Sequence, residues 1–156
     1  MKWEKINNNL IKRMYKEEKV VYHNDGNFTT VMDKNYTSAV IIPDCFLYVD
    51  MSKSKYNVIN EGIDKYLETV EDIKTNKYKL TLNYIKKIDI HGKEVNAAVF
   101  HSNEMDFDVY IDTNLLKDFS TTDCEFYGTS KTGVVSIIEN NNLVGIVCPI
   151  NIADDK

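Results

Sequence analysis

The stretch Glu104-Met105-Asp106-Phe107-Asp108-Val109-Tyr110-Ile111-Asp112 holds the densest run of oxygen ligands in the chain. On a strand, Asp106, Asp108 and Asp112 share one face, with Asp106 and Asp108 about 7 Å apart. Such a row holds Mg²⁺ or Ca²⁺ only where further oxygens converge on it. The alternation with Phe107, Val109 and Ile111 is also what any half-exposed strand carries, so we read a solvated face and assign no metal. His23, His91 and His101 fall at a turn, a turn and a strand end, away from any Ser or Cys in a nucleophile setting. Cys45 and Cys148 stand beside prolines and read as buried small residues rather than nucleophiles. No glycine-rich phosphate loop, zinc spacing or dinucleotide fingerprint occurs. The expectation is a non-enzymatic protein with no catalytic residue, no metal and no cofactor.

The charged residues make a more local pattern. Residues 1–19 carry a net charge of +3, while the rest of the chain carries −8. On a helical wheel Lys12, Arg13, Lys16 and Lys19 fall within about one third of the circumference, with no acid among them. Leu10, Ile11 and Met14 face away. Laid on duplex phosphates, such a face binds weakly, without sequence choice and with strong salt dependence. These four residues are the candidate nucleic-acid contacts. Eighteen of the 19 basic residues are Lys and only Arg13 is Arg, which leaves almost no forked guanidinium contact for reading base edges. Tyr66, Tyr84 and Tyr127 lie in apolar patterns and read as core rather than as base-stacking platforms.

These residues must be positioned by one folded unit. At 156 residues, with 43% apolar and 28% charged residues, the chain is long enough for a single core and too apolar for disorder. The formal charge of −5 argues against coating nucleic acid or membranes by bulk charge. No apolar run of membrane-spanning length and no secretory leader pattern is present, and the three cysteines are never closely spaced. A soluble cytoplasmic domain without membrane contact is expected.

The chain also repeats itself. Asn9-Leu10-Ile11-Lys12 falls on Asn114-Leu115-Leu116-Lys117 at an offset of 105, and Val21-Tyr22 on Phe126-Tyr127. After a one-residue slip, Val31-Met32-Asp33 falls on Ile137-Ile138-Glu139, and Val40-Ile41-Ile42-Pro43 on Ile146-Val147-Cys148-Pro149. Each unit reads as a strand (Trp3 to Ile6, Phe107 to Ile111), an N-cap (Asn7, Asp112), a helix and three strands ending at proline. Asp25-Gly26 marks a hairpin turn. Between the units, Ile63, Tyr66, Leu67, Val70 and Ile73 predict an amphipathic helix over 60–74, and Tyr78 to Ile90 with Val95 to His101 predict a hairpin turning at His91-Gly92. The predicted fold is α+β. It is one domain over 1–156, made of two β-α-β-β-β units at 2–43 and 105–150 related by a pseudo-twofold axis, with a helix and a hairpin inserted over 44–104.

That pair of units resembles one domain of the DNA sliding clamp family, the polymerase III beta subunit type. It is clearest from Asp112 through Thr113-Asn114-Leu115-Leu116-Lys117 to Val144-Gly145-Ile146-Val147-Cys148-Pro149-Ile150. The chain as a whole is loosely similar to short clamp-like proteins of phage and prophage origin. The resemblance implies a part in DNA replication, with non-specific contact to double-stranded DNA. A ring of six such domains takes six copies, so the resemblance implies either a homo-oligomer or a protein that does not encircle DNA. The other reading keeps the fold but makes the chain a protein–protein interaction module, an inhibitor or modulator of a host replication or defence protein.

Overall fold

The computed structural model describes residues 1–51, 57–59 and 77–152, the three residues 57–59 by their backbone. In chain order the elements are α1 (Trp3–Tyr15), β1 (Val20–Asn24), β2 (Phe28–Met32), β3 (Ser38–Pro43), a 3-10 turn (Asp44–Phe46), β4 (Asn57–Ile59) and β5 (Tyr78–Ile90). Then follow β6 (Lys93–Ser102), β7 (Phe107–Asp112), β8 (Glu125–Gly128), β9 (Val135–Glu139) and β10 (Asn142–Val147). The strands hydrogen-bond in the order β4-β1-β2-β3-β10-β9-β8-β5-β6-β7. All neighbours are antiparallel except the β1/β4 pair. The class is α+β, with one long, mostly antiparallel sheet.

At the centre, β3 and β10 pair with Val40 opposite Gly145. On either side lies a meander, β1-β2-β3 or β10-β9-β8. The predicted hairpin is present as β5 and β6, turning at His91-Gly92, where both residues have positive φ. The helix expected over 60–74 lies outside the described residues.

Two elements of the proposed units differ from expectation. Trp3 to Ile6 is not a strand; it is the first turn of α1. The apolar spacing Trp3, Ile6, Leu10 already has helical period from residue 3, and Ile6 and Leu10 are buried against β1, β2 and β3. Asn7 is therefore not a cap. It is a buried mid-helix residue whose amide donates to the Trp3 carbonyl (2.9 Å) and the Phe46 carbonyl (2.8 Å). Its Oδ1 accepts from the Tyr48 N–H (2.7 Å), so one side chain fastens the segment after β3 to the helix.

The second departure is at 113–119, which forms successive turns rather than a helix. Its backbone bonds run from Leu115 to Asp112, Leu116 to Thr113 and Phe119 to Leu116, the three-residue spacing of tight turns. Asp112 Oδ1 accepts from the Asn114 N–H, and the following Ser120-Thr121-Thr122-Asp123 favours turn chemistry over helix propagation. Leu116 and Phe119 are buried nonetheless, so the segment is held by packing.

The core has two main parts. Under α1 lie Val20, Tyr22, Val31 and Ile42. The other part joins Phe100, Val109 and Ile111 of β6 and β7 to Val135, Ile137 and Val147 of β9 and β10. That contact means the β5-β6-β7 end folds back over the β10-β9-β8 end. The Ile150 N–H, just past β10, donates to the Tyr110 carbonyl of β7 at 2.7 Å and completes the closure. No helix among the described residues is long and apolar enough to cross a membrane.

Candidate nucleic-acid interface

The end of α1 fixes the candidate basic residues. Lys16 is the C-cap, and Glu17 follows with φ +56°. The Glu18 N–H bonds to the Arg13 carbonyl and the Glu17 N–H to the Met14 carbonyl, the double closure of a Schellman turn. This position usually takes glycine, and Glu17 gives no such signal. The helix therefore stops at Tyr15, and Lys19 lies beyond it instead of on its face.

Of the four candidates, Lys12, Arg13 and Lys16 come together and Lys19 does not. The three line a cleft of about 380 Å³ between α1, the β2-β3 turn and the 113–119 segment. Lys117 joins them from the second segment. The expectation of an acid-free face does not hold. Glu18, Asp33 and Asp118 line the same cleft, because the chain reverses at Glu17 and brings its next acid back beside the helix. The Glu18 carboxylate lies 3.8 Å from Arg13 Nε, and Arg13 Nη2 donates to the Lys19 carbonyl at 3.0 Å. Lys5 Nζ donates to the Lys117 carbonyl at 2.7 Å and lies 3.5 Å from Asp118. Lys12 and Lys16 are exposed. Their position at a helix C-terminus suits cations, because the helix dipole is negative there. The arrangement can hold one or two phosphate oxygens through Lys12 and Lys16, with Arg13 already engaged. It is a modest electrostatic site.

The other face of α1 is not the apolar seam the wheel predicts. Leu10 is buried, but Ile11 is 48% exposed and Tyr15, four residues on, is 90% exposed. They form an apolar strip on the outside of the helix.

The aspartates of β7 separate in the structure. The strand alternates as expected, with Phe107, Val109 and Ile111 buried. Asp106 sits in the preceding turn at φ +49°, and Asp112 binds Asn114. Among the described residues no group of three His, Cys, Asp or Glu side chains is placed to hold a metal ion. Asp108 meets a partner that the sequence reading passed over. His101 on β6 is its register partner, and His101 Nδ1 lies 2.8 Å from Asp108 Oδ1. The signal was available, since a tight turn over 103–106 sets residue 101 opposite residue 108. Two further expectations are corrected: Cys45 is exposed in the 3-10 turn, and Tyr84 is 46% exposed rather than core.

Comparison with protein-family models, with curated proteins and with solved structures returns no match.

Proposed function

We propose that this chain is a non-enzymatic, clamp-like protein of phage or mobile-element origin that acts in DNA replication, with the end of α1 touching duplex phosphates. The observation that supports this most is the arrangement around the β3/β10 seam. Two three-stranded meanders flank it in mirrored order, and the sequence positions paired by the repeat lie close together there. Asn9 and Asn114, Leu10 and Leu115, and Lys12 and Lys117 all line the one cleft. A doubling about an axis through the seam accounts for that convergence. The first strand of one unit and the helix of the other are the parts that such a doubling has lost.

The DNA contact is tested by titrating fluorescent duplex of arbitrary sequence at rising salt. We expect binding that weakens linearly in log salt, and a slope reduced by about two in the Lys12→Glu/Lys16→Glu double variant. Salt-independent binding, or none at low salt, removes the DNA contact. Light scattering tests the assembly: a hexamer supports a ring, and a monomer or dimer excludes one.

A second reading is favoured by one specific feature. The Ile11/Tyr15 strip exposes apolar area on the outside of α1, beside Lys12 and Lys16. It suits an interaction module that docks on a replication or defence protein. Under that reading Ile11→Lys/Tyr15→Lys leaves duplex binding intact and abolishes capture of the partner protein.

A further inference from the structure

On the outer face of β5, β6 and β7, register places Tyr84, Val99 and Tyr110 in one row across the three strands. Val99 is fully buried, whereas Tyr84 is 46% exposed. Beside the row opens a cleft of about 650 Å³, whose lining includes Tyr84, Tyr110, Asn83, His101, Asp108 and Thr132. That volume lies in the range of sites that enclose a small organic ligand, roughly 300–1,000 Å³.

The chemistry of the walls narrows the ligand. An ionised carboxylate only accepts, so Asp108 holds the proton on His101 Nδ1 and fixes the ring's orientation. Asn83 has an amide that donates and accepts side by side, the pattern that matches the polar edge of a heterocyclic base. The exposed Tyr84 supplies a ring face of the kind on which a base stacks, with the half-buried Tyr110 beside it. Lys86 Nζ lies 4.7 Å over the Tyr110 ring, which places a cation beside that aromatic surface. Asp106 and Lys131 also line the cleft, so an attached phosphate is disfavoured beside Asp106 and favoured beside Lys131 or towards Lys86. An extended peptide is poorly served, because the β7 backbone at Tyr110 already accepts from the Ile150 N–H.

We propose that this cleft binds a nucleobase, carried either by a free nucleotide or by a single strand of nucleic acid. The site lies on β5–β7 and does not depend on the duplex contact proposed for α1.

The test titrates the full chain with AMP, GMP, CMP and UMP and, separately, with an eight-nucleotide oligo(dT), followed by calorimetry. Saturable binding of a mononucleotide identifies the free nucleotide as the source. Saturation by the oligonucleotide alone identifies the single strand. In either case Tyr84→Ala should weaken binding by about tenfold or more, while Tyr84→Phe, which keeps the ring, should stay within about threefold of the parent. His101→Ala should weaken it as well, with unchanged circular dichroism showing that the fold is kept. No saturation at millimolar nucleotide or high-micromolar oligonucleotide overturns the proposal. So does oligonucleotide binding that ignores Tyr84→Ala and disappears in Lys12→Glu/Lys16→Glu, which assigns the contact to α1 instead.

Discussion

The ring of Phe119 lies against the backbone of Gly145, so close that a Cβ on residue 145 would fall 2.3 Å from two of its ring carbons. The Ala39 carbonyl oxygen would be only 2.9 Å from the same Cβ. The 113–119 segment is thus pressed onto the central seam at a position where only glycine leaves room. Gly145→Ala should destabilise the protein by about 1–3 kcal/mol through overpacking, read as a lower urea midpoint. Phe119→Leu in the same background should recover part of the loss. An unchanged midpoint in Gly145→Ala contradicts the packing.

Asn7 joins α1 to the segment that follows β3 through two hydrogen bonds, and a third returns to the Trp3 carbonyl within the helix. Asn7→Ala leaves the Phe46 carbonyl and the Tyr48 N–H without that partner. The expected cost is about 1–3 kcal/mol. Hydrogen exchange at Tyr48 should accelerate more than exchange in β9. Equal protection at Tyr48 in both proteins counts against this role.

The Asp25 carboxylate accepts from the N–H groups of Asn27 and Phe28, and these bonds hold its pKa below the usual carboxylate value. A folded-state pKa below the unfolded one means that the turn contributes stability above the unfolded value. That contribution is lost as pH falls through the folded value. The stability gap between the parent and Asp25→Ala should therefore be full at pH 6 and shrink as pH falls below the ordinary carboxylate value. A gap that stays constant from pH 6 to pH 2 rules the linkage out.

Burial raises the Cys124 thiol pKa, whereas Cys45 is exposed. Iodoacetamide under native conditions should label Cys45 first and leave Cys124 intact until denaturant is added. Peptide mass spectrometry gives the order directly, and early labelling of Cys124 would contradict its burial.

The strands were legible because their cues are local. Asp25-Gly26 and His91-Gly92 mark turns, and Phe107 to Asp112 alternates with period two. The N-terminal helix was misread at its start, because Asn7 has the residue type of a cap while its amide serves a tertiary bond to residues 46 and 48. Its end was misread because Glu17 adopts a left-handed conformation without being glycine. That one residue removed Lys19 from the basic face and brought Glu18 onto it. The pairing of His101 with Asp108 depends on strand register, and the inward fold of β5–β7 depends on contacts between distant segments. Periodicity carries neither.

The seam between β3 and β10 joins segments more than a hundred residues apart in the chain. Contacts of that span close late and slow the search for the native state, since the entropy of bringing the ends together is lost before any bond rewards it. During synthesis the β1-β2-β3 meander therefore waits with Ser38 to Val40 unzipped until β10 leaves the ribosome. Helper proteins that bind nascent chains would find their target on that open border.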